Sequence, residues 1–102
     1  MYYFLELDRD ESIGLVLWGA GIKGKLVANE LLERNVIFTW ITNNEKKVGK
    51  DIYGVVLASD NEQEFADAQI VISLSSPAEK AEVQTRLNRE ELINNQDYYW
   101  FF

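Results

Sequence analysis

Gly19, Gly21 and Gly24 stand in the spacing GxGxxG within Trp18-Gly19-Ala20-Gly21-Ile22-Lys23-Gly24. The apolar run Ile13 to Leu17 precedes them, and a helical pattern over 25–34 follows. Between a strand and a helix, this spacing builds a phosphate cradle. Gly19 makes the tight turn. Gly21 lets a phosphate reach the backbone with no side chain in the way. Gly24 lets the helix pack closely on the strand. The first N–H groups of that helix then point at the space above the turn and favour an anion. The same spacing also serves as a strand-to-helix turn kept for packing alone.

Other residues are candidates around that cradle. Lys23 lies inside the turn, where it either meets a phosphate or is simply solvated. Lys46, Lys47 and Lys50 form the one local basic cluster, placed after the second strand, and read equally as a solvated loop. An adenine dinucleotide site calls for Asp or Glu ~20 residues past the turn, at the end of the second strand. Here that strand ends Ile41-Thr42-Asn43-Asn44, with no carboxylate before Glu45. Asn43 can bond a ribose hydroxyl, or the asparagine pair can simply turn the chain. Ser73, Ser75 and Ser76 end the third strand and face the glycine turn if the strand order reverses there. Ser76-Pro77-Ala78-Glu79 also explains itself as a helix start. Asp51, Asp60 and Asp67 occupy positions that loops and caps account for.

The chain contains no histidine and no cysteine, so Ser/His/Asp and Cys/His catalysis, disulfides and the commonest metal ligands are all absent. With 102 residues, 47% of them hydrophobic, one small folded domain is expected. Ten basic against seventeen acidic residues give a net charge of −7, which disfavours nucleic acid and anionic membrane surfaces as partners. No apolar run approaches the ~20 residues of a membrane span. Residues 1–12 carry Glu6, Asp8, Asp10 and Glu11 without a basic lead-in, unlike a signal peptide. A cytoplasmic protein is the expectation.

These candidates must be positioned by alternating strands and helices. The pattern predicts strands at 13–18, 36–42, 69–74 and 97–102, and helices at 22–34, 59–66 and 76–88. Ile22, Leu26, Val27, Ala28 and Leu31 should form the apolar side of the first helix, and Asn35 its left-handed stop. Residues 48–57 read as irregular, with a short extended end. Residues 1–12 read as an extension or edge element ahead of a domain over 13–102. The expected architecture is α/β: a small three-layer sandwich with a mostly parallel sheet of four to five strands and helices on both faces. The aromatics Tyr2, Tyr3 and Phe4 and the run Tyr98 to Phe102 lie at the two ends of the chain, where core packing or an interface accounts for them. A chain stopping inside an aromatic strand reads as a piece of a larger protein, or as a strand awaiting a partner.

Three stretches, Val16 to Lys25, Ile41 to Val55 and Asn95 to Tyr99, resemble small Rossmann-like domains of bacterial surface-glycan enzymes. Such domains accompany sugar-modifying methyltransferases, glycosyltransferases, acyltransferases and nucleotide-sugar epimerases or dehydratases. The resemblance covers about residues 13–102. It implies a nucleotide or nucleotide-sugar site at Gly19, Gly21, Lys23 and Gly24, with Thr42 and Asn43 at the ribose position. Ala20, Ile22 and Ser75 complete the candidate set. The family usually has an acidic residue where this chain has Thr42. The expectation is therefore a non-catalytic module that binds NAD(P) or a nucleotide-sugar, next to a catalytic domain or as a homodimer. The alternatives are a structural or oligomerisation domain with a vestigial glycine turn, and a small NAD- or S-adenosylmethionine-dependent enzyme.

Overall fold

Val16, Leu17 and Trp18 have no polar neighbour to turn outward, so both sides of their strand must be covered. In the computed structural model, which describes residues 1 and 3–101, they lie in the middle of a sheet. The elements in chain order are β1 (Gly14–Trp18), α1 (Ile22–Glu33), β2 (Thr39–Thr42), β3 (Asp51–Ile52), β4 (Val55–Val56), β5 (Ala58–Ser59), β6 (Ala68–Ile72), α2 (Pro77–Arg89) and β7 (Tyr98–Trp100). Five strands form one sheet in the order β5-β2-β1-β6-β7, and every pairing is parallel. Trp18 is opposite Ile41 on one side and Ile72 on the other. The chain is thus α/β, with a five-stranded all-parallel sheet.

Strand periodicity divides the buried residues into two cores. Leu15 and Leu17 join Val27, Ala28 and Leu31 of α1, with Trp40 and Phe4. Val16 and Trp18 join Ile41, Ile70 and Ile72, with Val83 and Leu87 of α2. Each fully buried leucine, isoleucine or valine in these cores stabilises the fold by ~1.5–3 kcal/mol relative to exposure.

Both helices end as their sequences allow. Asn35 has φ 57°, with Val36 N–H bonded to Leu31 O at 2.9 Å and Asn35 N–H to Leu32 O at 3.1 Å. That is the left-handed stop predicted for α1. α2 stops the same way on Glu91, φ 58°, a residue type that gives no warning of it. Ser76 starts α2, its hydroxyl accepting from Glu79 N–H at 3.4 Å.

Several local expectations are corrected. The second strand begins at Thr39, not 36, because its pairing with β1 begins at Val16 opposite Thr39 and Ile37 is 91% exposed. α1 buries Gly24, Val27, Ala28 and Leu31 but leaves Ile22 and Leu26 outside. The helix predicted at 59–66 is a single 3-10 turn, Asp60–Glu62, after which the chain extends so that Phe65 drops into the core against Trp18, ring centroids 5.2 Å apart. Residues 51–56 form a hairpin, with Tyr53 at φ 55° and Gly54 at φ 84°, and Tyr53 stacks on Trp40 at 6.5 Å.

The aromatic ends pack on each other. A π-helical turn, Phe4–Asp8, inserts Phe4 against Tyr99 at 4.7 Å and Phe101 at 5.8 Å. Buried Gln69 ties the segment down, accepting Asp10 N–H at 2.7 Å and donating to Asp8 O at 2.7 Å. The strand expected to run to 102 is shorter, and Tyr2 and Phe102 lie outside the described residues. Among the described residues, no helix is long and apolar enough to cross a membrane.

Candidate functional site

The strand order reverses between β1 and β6: α1 leads from β1 to β2 on one side, and α2 leads from β6 to β7 on the other. In an open parallel sheet, the crevice beyond the carboxyl ends of such strands is where ligands sit. The glycine turn occupies that point. Gly19 has φ +127°, and a Cβ there would lie 2.1 Å from Ser73 O. A Cβ on Gly24 would lie 2.1 Å from Gly19 O. Around Gly21, nothing lies within 4 Å of the Cβ position. Gly19 is therefore required for close approach of the β6 exit, and Gly24 for seating α1 against the turn itself. Gly21 faces open space.

Gly21 is the N-cap of α1, in an extended conformation with φ −81° and ψ −162°. It has no side chain to cap the helix, and the first turn holds no acidic residue. The positive end of the helix is thus not neutralised locally. The carbonyl side of the turn is occupied. Trp40 Nε1 donates to Gly19 O at 2.6 Å, and Lys47 Nζ donates to Ala20 O at 3.0 Å. Lys47 is the member of the basic cluster that reaches the turn. Lys23 is half-buried within α1, and Ile22 is 80% exposed.

The remaining predicted residues share this edge of the sheet but are drawn into different contacts. Thr42 is buried, and its Oγ1 accepts Asn44 N–H at 3.0 Å, closing the turn after β2. Asn43 leans toward α2, where its Nδ2 donates to Glu82 Oε2 at 3.3 Å. Ser75 is exposed. Ser73, whose carbonyl abuts Gly19, is buried with a hydroxyl that has no hydrogen-bond partner.

Asn43 opens a second region not legible in the sequence. It lines a cleft of about 240 Å³ with Trp18, Asp60 and Asn61, and with Glu82, Arg86 and Arg89 of α2. A larger cleft of about 480 Å³ lies at the opposite edge, between Arg9, Arg34 and Ile37. It opens beside the amino ends of the strands, whereas the smaller cleft lies beyond their carboxyl ends, at Trp18 and Asn43. Arg86 builds its wall. The guanidinium donates to Asp60 O at 2.9 Å and Gln63 O at 3.1 Å, pairs with Glu90 at 3.1 Å, and lies 4.8 Å over the Phe65 ring. These contacts replace the predicted helix over 59–66 as the means of holding that segment.

Burial pushes the Asp60 carboxyl pKa above its ordinary 3.8, opposed by the Arg86 guanidinium and the Trp18 indole N–H. The indole faces that carboxyl, yet forms no hydrogen bond of standard geometry. A raised folded-state pKa means that the native state holds the proton more tightly than the unfolded chain. The contribution of Asp60 to stability is thus greatest below 3.8 and is lost as pH rises through the higher folded value. Urea unfolding across that interval is expected to show this fall in the wild type, and a flatter profile in Asp60→Asn. Superimposable profiles would remove Asp60 as its source.

Glu82 and Arg86 carried no sequence signal, since α2 brings them to the site from far along the chain. Set against protein-family models, curated proteins and solved structures, the chain matches none of them.

Proposed function

We propose that this chain is a small Rossmann-like three-layer module that binds a nucleotide-type ligand without catalysing a reaction, the ligand being NAD(P) or a nucleotide-sugar. Its phosphates sit over Gly21 at the start of α1, with Lys47, bonded to Ala20 O, beside the turn. The observation carrying this reading is the contrast among the three glycines: two are locked against backbone, and the central one opens outward. The missing side chain leaves the amides at the start of α1 open to a guest. The setting in bacterial polysaccharide assembly rests on the sequence resemblance.

A structural or oligomerisation role is the second reading, favoured by the internal contacts that Gly19 and Gly24 already make. Thermal unfolding in the presence of NAD, NADP, UDP-glucose and S-adenosylmethionine separates the two, because a ligand bound only by the native state raises its apparent stability. A ligand at 100 times its Kd is worth about 2.7 kcal/mol. The nucleotide reading expects a raised midpoint with NAD(P) or UDP-glucose. Unchanged midpoints at millimolar ligand would leave the structural role.

A further inference from the structure

We propose that the cleft between the ends of β1, β2 and β5 and helix α2 is a sugar subsite, in which the carboxylates of Asp60 and Glu82 accept from vicinal hydroxyls and the Trp18 indole N–H donates to one of them. The inference deepens the nucleotide reading and rests on it for the phosphate half of the ligand.

The groups present select the ligand class. Trp18 is 1% exposed and lines the cleft, its indole N–H facing the Asp60 carboxyl without a hydrogen bond of standard geometry. Two carboxylates, Asp60 and Glu82, and two guanidiniums, Arg86 and Arg89, line the same small space, so their charges balance and neither a free anion nor a simple cation is selected. An apolar guest leaves the indole N–H and both carboxylates desolvated. A hydroxyl both donates and accepts from one atom, so a ring bearing vicinal hydroxyls answers all of these groups. The volume, about 240 Å³, is below the ~300–1,000 Å³ of pockets for drug-sized ligands and suits one sugar ring rather than a dinucleotide.

The cleft also resolves the missing acid after β2. Where a carboxylate usually follows that strand, this chain has Thr42 and then Asn43, and Asn43 holds Glu82 Oε2 at 3.3 Å. The carboxylate arrives from α2 instead of from β2. Trp18 immediately precedes Gly19, so the subsite and the glycine turn adjoin on one edge of the sheet.

Two resonances in ¹H–¹⁵N spectra read the two halves separately: the Trp18 indole N–H for the cleft, and the Gly21 amide for the turn. The probes are UDP-glucose, UMP, methyl glucoside and inorganic pyrophosphate. UDP-glucose is expected to move both signals, pyrophosphate only Gly21, and Glu82→Ala to weaken the Trp18 response about tenfold. Glu82 is exposed, so an unchanged unfolding midpoint for that variant is the folding control, with Asp60→Asn as the second variant. A Trp18 response to UMP identifies ribose as the ring; a response to UDP-glucose but not UMP identifies the hexose. Movement of Gly21 with a static Trp18 overturns the subsite and spares the nucleotide reading. Movement of Trp18 with methyl glucoside while Gly21 ignores every phosphate supports the subsite and sinks that reading. If neither signal moves with any probe, both fall.

Discussion

Gly24→Ala is expected to destabilise the protein by about 3 kcal/mol. The sign is the informative part. In a helix interior, glycine to alanine ordinarily stabilises by ~1 kcal/mol, because alanine loses less backbone freedom on folding. Here the added Cβ would sit 2.1 Å from Gly19 O and 2.6 Å from Gly19 C. Those are backbone atoms, and Gly19 is itself fixed by its N–H bond to Ile41 O at 3.0 Å and by the Trp40 indole on its carbonyl at 2.6 Å. The helix must therefore back away from the turn, opening the core at Val27, Ala28 and Leu31. For a domain of this size, each 1 kcal/mol lowers Tm by ~4–8 °C. Thermal and urea unfolding should thus show a fall of more than 10 °C and a matching loss in urea midpoint, on the order of these scalings. A neutral or stabilising Gly24→Ala would mean that α1 does not meet the turn at this distance.

Gly19→Ala is expected to cost more, about 4 kcal/mol or above, because two penalties coincide. At φ +127° an alanine is strained wherever it sits, at ~1–3 kcal/mol, and its Cβ would lie 2.1 Å from Ser73 O and 2.9 Å from Ser73 C. Relief requires separating the exit of β6 from that of β1, although Ser73 N–H bonds Trp18 O at 3.0 Å across the same gap. Against a total stability of ~5–15 kcal/mol, the loss approaches unfolding at 37 °C. Circular dichroism at that temperature should show a largely unfolded variant beside a folded wild type. A well-folded Gly19→Ala would show that β1 and β6 do not end so close together.

The parts of this arrangement legible in the sequence were those with a local cause. An unbroken apolar run demanded a strand covered on both sides. The glycine spacing demanded a strand–turn–helix junction. Asn35 and Ser76 marked a helix end and a helix start through their own backbone chemistry. What escaped was decided by distant partners. Tyr53 adopts φ 55° in the hairpin, a conformation that a tyrosine does not advertise. Ser59 begins only a 3-10 turn because Phe65 and Arg86, rather than local pairing, fix the segment. Ile22 and Leu26 matched a helical apolar side, but the close seating of Gly24 rotates them outward. The glycine turn was therefore readable residue by residue. Which of the three candidate lysines reaches the turn, and the cleft of Trp18, Asp60 and Glu82, were not, since each depends on segments that meet only in the folded chain.

Gly21 is the residue on which function and architecture part. Its backbone is extended, at φ −81°, and its Cβ direction is empty. A side chain there is expected to leave stability within ~1 kcal/mol while filling the space a phosphate needs. The decisive measurement is isothermal titration of UDP-glucose and NADP into wild type and Gly21→Val side by side, with unfolding midpoints recorded for both. The expected result is binding heat in the wild type, weakened at least tenfold in Gly21→Val, with midpoints that agree. Equal heats in the two proteins, or none in either, would contradict a ligand seated on the amides of this turn.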